Sequence, residues 1–141
     1  IEGDEYTVDV FVDFHGQPRC AVPRRRHEVR GGEVSKGQTV KHRRMMAEAC
    51  RLVRALDGCV GMITIQCFHT PDDRIVFIEI NPRFGGGVPL SIRAGANSPL
   101  WTLQLLRGEE PEIAMDAWTD GLYMLRYDAA VYVEADKLDA I

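Results

Sequence analysis

The stretch Val60-Gly61-Met62-Ile63-Thr64-Ile65-Gln66-Cys67-Phe68-His69, Thr70-Pro71-Asp72-Asp73-Arg74, Ile75-Val76-Phe77-Ile78-Glu79-Ile80-Asn81-Pro82-Arg83 decides the fold. Two apolar, β-branched runs, 60–69 and 75–80, flank the turn residues Pro71-Asp72-Asp73-Arg74, which predicts an antiparallel hairpin. Counting back from a four-residue loop at 71–74, with Thr70 facing Ile75, places Gln66 directly across from Glu79. Opposed Cβ atoms in such a pair lie about 4.5–5.5 Å apart. Strand alternation puts Glu79 and Asn81 on that same face and turns Ile78 and Ile80 the other way, into a core.

One carboxylate and two amide carbonyls on one patch suit a hard cation, which takes oxygen ligands. Glu79 alone carries charge, which matches Mg²⁺, a cation held by one or two carboxylates with water and substrate phosphates completing its shell. The residues by themselves are equally compatible with a polar cross-strand pair on a solvated sheet face.

Outward from this hairpin the chain alternates strands and helices. Residues 5–13, Glu5-Tyr6-Thr7-Val8-Asp9-Val10-Phe11-Val12-Asp13, have a period of two and predict a half-buried strand. His15-Gly16-Gln17 turns it, and residues 19–22 return as a second strand, with Pro23 marking an edge or the end of ladder pairing. Residues 27–39, with Gly31-Gly32 and Ser35-Lys36-Gly37, predict a loop. Residues 40–56 predict a helix on the recurrence of Met46, Ala49, Val53 and Leu56, capped by Thr39 and ended by Gly58. Residues 88–96 and 99–107 predict two more, the second with Pro99 in its first turn and Leu100, Leu103 and Leu106 on one face. Residues 121–133 predict further strand. The order implies one α+β domain over residues 1–141, an antiparallel sheet covered by helices.

The composition agrees: 141 residues, 45% hydrophobic and 27% charged, support a packed core and exclude a disordered or collagenous chain. No apolar run approaches the ~20 residues of a membrane span. The chain opens Ile1-Glu2-Gly3-Asp4, with neither Met nor leader, as an excised fragment would. Cys20, Cys50, Cys59 and Cys67 lack paired spacing, so reduced thiols of a cytoplasmic protein are expected. The net charge of -4 hides a basic stretch from Arg24 to Arg44, which reads either as an anion-docking surface or as a solvated face. Alternation directs Arg24 and Arg26 to one face, where either could reach phosphate, and leaves Arg25 solvated. His15, His27, His42 and His69 show no ligand spacing, and Met45, Met46, Trp101 and Trp118 are assigned to core or interface.

Ile78-Glu79-Ile80-Asn81-Pro82-Arg83, followed by Gly85-Gly86-Gly87, resembles the ATP-grasp superfamily. It is most similar to the branch of the carbamoyl-phosphate synthase large subunit and related carboxylate-amine ligases. The resemblance implies that Glu79 and Asn81 hold the Mg²⁺ bridging the ATP phosphates, with Mn²⁺ as an alternative ion. It places Gln66 at the family's other metal ligand, often Glu but Gln in some members, and Glu5 at the acidic residue that binds the ATP ribose. By the same analogy Arg83 meets the transferred phosphoryl or the substrate, a role suited to its planar fork. A carboxylate salt bridge is the competing reading for Arg83. Gly85-Gly86-Gly87 would either offer N–H groups to an anion or serve as a flexible connector. Gly32-Glu33-Val34-Ser35-Lys36-Gly37 corresponds to the loop near the γ-phosphate, with Lys36 as its phosphate contact.

The likeness covers nearly the whole chain but only the C-terminal half of an ATP-grasp fold. The implied parent enzyme transfers the γ-phosphoryl of ATP to a small-molecule carboxylate, and an amine or similar nucleophile attacks the resulting acyl-phosphate. Without the family's N-terminal half, this fragment is expected not to turn over. A homodimer is compatible with the resemblance, a membrane partner is not expected, and nucleic acid is disfavoured for want of RNP-like, helix-turn-helix or zinc patterns. The competing classes are a non-catalytic α+β module that binds nucleic acid or an acidic partner, and a degenerate ATP-grasp subunit that binds without turnover.

Overall fold

The computed structural model describes residues 1–127, Ala129 and Tyr132. Six strands form one antiparallel sheet in the order β5-β4-β1-β2-β3-β6, with β1 Asp4–Val12, β2 Pro18–Arg30, β3 Glu33–Thr39, β4 Gly61–His69, β5 Ile75–Asn81 and β6 Tyr123–Leu125. Among the described residues three helices accompany the sheet in an α+β fold: α1 Arg43–Arg54, α2 Val88–Ala94 and α3 Ser98–Leu106. None is long and apolar enough to cross a membrane.

The central strand β1 sorts the layers. Tyr6, Val8, Val10 and Val12 are buried on the face that carries α1, whose Met45, Met46, Ala49, Cys50 and Val53 fill the core, with His42 meeting the Tyr6 ring edge-on. Thr7, Asp9 and Phe11 point to the other face, where Ser91 of α2 bonds Asp9 and Trp101 of α3 packs on Phe11. Trp118 donates its indole N–H to the Ala21 carbonyl at 3.1 Å, closing the flank of β2 that β3 does not reach. The ladder to β3 starts at Arg24, so Pro23 sits where its missing N–H costs no bond to that neighbour.

Several expectations are corrected. Residues 27–39 are not a loop: Gly31 and Gly32, at φ +55° and +84°, make a two-residue turn that joins β2 to β3. The cap of α1 is His42, whose Nδ1 accepts from the Met45 N–H, because Thr39 is still in β3 and bonds Thr119 and Leu122. Leu56 lies beyond the helix and is exposed. The Leu100, Leu103 and Leu106 face of α3 is exposed rather than packed. Of the strand expected over 121–133, only Tyr123–Leu125 forms within the described residues, and positions 128, 130, 131 and 133 lie outside them.

Candidate functional site

The β4–β5 hairpin pairs Gln66 with Glu79, Thr64 with Asn81 and Ile65 with Ile80, as the loop count predicts. It reaches that register by a different route. The Thr70 N–H donates to the Arg74 carbonyl at 2.9 Å and the Asp73 N–H to the Thr70 carbonyl at 3.0 Å, with Asp73 at φ +58°, so the turn is one residue shorter. A bulge between Gln66 and Cys67 compensates: Cys67 pairs with Phe77, and Ile78 is the extra residue. Ile78 and Ile80 are therefore not core residues. They are 49% and 37% exposed, on an edge strand with β4 as its neighbour.

On the face bearing α2, Thr7 stands between Arg24 of β2 and Gln66 of β4. Around it runs a chain of polar contacts. Glu5 lies 3.3 Å from Arg26 Nη1, and the same nitrogen donates to Gln66 Oε1 at 2.8 Å. Gln66 Nε2 in turn donates to Glu79 Oε2. Arginine can only donate and an ionised carboxylate can only accept, so this order fixes the orientation of the Gln66 amide. Arg26 Nη2 also donates to the Gly32 carbonyl, tying the β2–β3 turn to the face.

Arg26, Gln66 and Thr7 line a polar cleft of about 70 Å³ with Thr64, Asn81, Arg83, Glu33 and Gly85-Gly86-Gly87, and Glu79, itself exposed, reaches its edge through Gln66. Two buried donors in it, Asn81 Nδ2 and Arg26 Nε, have no partner among the described residues. Leaving such groups unmade costs about 1–3 kcal/mol each, which marks the cleft as shaped for something besides its own side chains. Among the described residues Arg83 forms no ion pair, and its Nη1 donates to the Phe84 carbonyl. No group of three His, Cys, Asp or Glu able to hold a metal occurs among the described residues, so any cation here relies on amide oxygens beside Glu79.

Other site expectations move. Lys36 lies on β3, not in a loop, beside Gly37, whose α-carbon faces Val34 and Leu90 on the cleft side. Alternation turns Lys36 to the reverse face, where its Nζ sits 2.7 Å from Glu28 and holds that carboxyl below the usual range. The basic stretch is likewise engaged: Arg24, Arg25, Arg26, Arg30, Lys36, Arg43 and Arg44 each meet a carboxylate, and Lys41 lies over the Trp118 ring. It is not a free basic surface. All four cysteines are free thiols, three of them buried and Cys59 partly so.

Sequence reasoning missed the deepest part of the cleft. Arg24, 2% exposed, grips Asp9 through Nε and Nη2 at 2.7 and 2.9 Å, and Ser91 Oγ donates to Asp9 Oδ2 at 2.6 Å. The signal available was Asp9, an acidic residue set between Val8 and Val10 in a central strand, which demands a buried partner.

The architecture has relatives. The biotin carboxylase domain of 2-oxoglutarate carboxylase from Hydrogenobacter thermophilus, solved with MgADP, ADP and bicarbonate, matches with a TM-score of 0.66 at 16% identity, over 85% of this chain and 28% of that one. A biotin carboxylase–βγ-ATP complex from Campylobacter jejuni matches at 0.63 and 14% identity over the same shares, 85% and 28%. A complete multifunctional pyruvate carboxylase from Rhizobium etli matches at 0.60 and 18%, over 76% and 11%. Each likeness establishes a shared fold, and the chain spans less than a third of each structure's length. No curated protein matches it. The family described as ATP-grasp in the biosynthetic pathway with Ter operon matches residues 1–128, nearly the whole described chain, and this chain belongs to that ATP-grasp family.

Proposed function

We propose that this chain forms the metal- and phosphate-handling half of an ATP-dependent ligase that activates a small-molecule carboxylate as an acyl-phosphate. The supporting observation is that Gln66 and Asn81 line one cleft with Arg26 and Arg83, while Gln66 pairs with and bonds Glu79 at its edge. Glu79 and Asn81 would hold Mg²⁺, or Mn²⁺ in its place, and Gln66 would join them by exchanging its bond to Arg26. The donor set fits a hard cation that shares its shell with phosphate and water. When bound, such an ion neutralises charge on the phosphate oxygens.

The residues of the chain then act by placement and charge. Arg83, without a carboxylate partner among the described residues, offers its fork to the transferred phosphoryl or the substrate carboxylate. Glu5, at the outer end of β1, accepts from the ribose. A substrate carboxylate oxygen forms the new bond to the γ-phosphorus as the bond to the bridging oxygen of ADP breaks. An amine then attacks the acyl carbon and inorganic phosphate leaves. The incomplete span relative to its neighbours supports a partner half supplied elsewhere in the parent enzyme, so this chain by itself would be inactive. The Hydrogenobacter domain is a dimer, and the same association is proposed for the parent enzyme. Free thiols support a cytoplasmic setting.

The test is hydroxylamine trapping. The polypeptide that carries this chain, given MgATP and a panel of carboxylates, should release ADP and form a hydroxamate with at least one of them. Glu79→Gln should lower that rate by at least about a hundredfold while the melting temperature stays close to wild type. Unchanged turnover in Glu79→Gln would overturn the assignment.

A further inference from the structure

We propose that buried Arg24, held by Asp9, which Ser91 in turn bonds, is a positioning residue: it is the floor on which Gly85 and Gly87 rest, and it thereby fixes Arg83 in the cleft. The role of Arg83 rests on the functional reading above; the anchoring itself does not.

The three glycines are required by proximity, not by backbone conformation. None of them has a positive φ, and Gly87, at φ -92° and ψ 0°, occupies a conformation open to any residue. A Cβ on Gly87 would instead lie 2.1 Å from Arg24 Nη1 and one on Gly85 3.0 Å from Thr64 Cγ2, while one on Gly86 would meet the side-chain carboxylate of Glu33, apart from the Arg24 floor. The backbone of this segment therefore lies directly on the guanidinium and on the β4 side chain beneath it. Thr64 adds a second anchor by donating Oγ1–H to the Arg83 carbonyl at 2.8 Å.

The guanidinium cannot yield. Asp9 takes two of its N–H groups in a bidentate pair, the strongest and most directional arrangement open to arginine. Ser91, on the helix that follows the glycines, bonds the same carboxylate. The cluster thus joins β1, β2 and the middle of α2, and the segment from Arg83 to Gly87 is stretched between that cluster and the end of β5. A lysine at position 24 would keep the charge and lose the planar fork that Gly87 covers.

Two variants test this, Gly87→Ala, which inserts a methyl group at Arg24 Nη1, and Ser91→Ala, which removes one bond to Asp9 with little steric change. Trypsin cleavage after Arg83 reports the segment, with cleavage after exposed Arg107 as the internal control. Both variants should be cut faster at Arg83, by about fivefold or more if a contact of this kind holds the segment closed, and at the wild-type rate at Arg107. In the parent enzyme, kcat should fall about ten- to a hundredfold, as displacement of a reacting group by about 1 Å predicts, with KM for ATP little changed. If Gly87→Ala fails to fold, Ser91→Ala decides. Wild-type cleavage at Arg83 in the folded variants, or equal acceleration at Arg83 and Arg107, overturns the proposal. A parent enzyme without MgATP turnover would overturn the ligase reading alone, since the proteolysis still judges the anchor.

Discussion

The amide of Gln66 lies between Arg26 and Glu79, accepting from the first and donating to the second. Its oxygen faces the cation and its nitrogen faces the acid, so the protein itself provides a neutral spacer between two charges. The same arrangement turns the amide oxygen away from Glu79. A divalent ion at Glu79 must then compete with the Arg26 bond for that oxygen, and metal affinity becomes linked through Arg26 to Glu5.

Gln66→Glu should invert this balance. Without metal, two carboxylates face each other across the hairpin, a like-charge pair that costs roughly 0.2–1 kcal/mol. With Mg²⁺ the added charge becomes a ligand, and the ion concentration for half-maximal thermal stabilisation should fall about tenfold, since ligand charge tunes divalent affinity over decades. Melting curves across a Mg²⁺ titration check this. A variant as indifferent to Mg²⁺ as to K⁺ would show that Glu79 does not face a metal site.

Asp9 and Arg24 should be far more costly to separate than to replace together. Arg24→Met leaves a carboxylate buried with only Ser91, and such a break costs about 3–5 kcal/mol, equivalent to some 10 °C or more in Tm for a chain of this size. The double variant Asp9→Leu, Arg24→Met should regain much of that loss. Chemical denaturation of the two variants measures the coupling. Equal destabilisation of single and double variants would refute it.

Much of this was readable beforehand, for identifiable reasons. Glu79 falls opposite Gln66 because two errors in the count cancel: the turn is one residue shorter and the bulge at Ile78 restores the face. The burial expected of Ile78 and Ile80 had no such correction, because alternation describes which side a residue takes and not whether anything covers it. Gly31-Gly32 carries the signature of a two-residue hairpin, yet its flanks, Glu28-Val29-Arg30 and Glu33-Val34-Ser35, hold one apolar residue each, too short an alternation to mark a strand. Lys36 was misplaced with that loop. In the Arg24 cluster Asp9 demanded a partner, but the part of Ser91 carried no signal, because Asp9 and Ser91 are 82 residues apart and meet through tertiary packing alone.

His42 makes α1 sensitive to acid. Burial, and after it the charge of His69, hold its pKa below the ordinary histidine value, and its Nδ1 must stay unprotonated to accept the Met45 N–H. A depressed folded pKa contributes stability that is present above the unfolded value of about 6.5 and is lost as pH falls through the folded value. His42→Asn keeps a cap acceptor that does not titrate, so its Tm should fall less than wild type below pH ~6.5. Parallel Tm curves for the two proteins over that window would remove His42 from the acid response.

The thiols act at the opposite end of the pH scale. Burial pushes Cys20 and Cys67 up to about 12, and burial raises Cys50 as well. Only the thiolate is nucleophilic, so a thiol reagent at pH 8 should modify partly buried Cys59 first, and the other three only after denaturant is added. For an acid whose folded pKa is raised, stability is intact below the unfolded value of about 8.5 and declines as pH climbs from there through the folded value. Cys20→Ala and Cys67→Ala should therefore lose less of their own stability than wild type between pH 9 and 12, even though each vacates core volume and starts lower. Rapid labelling of all four cysteines in the native protein would show that α1 and the sheet do not seal them.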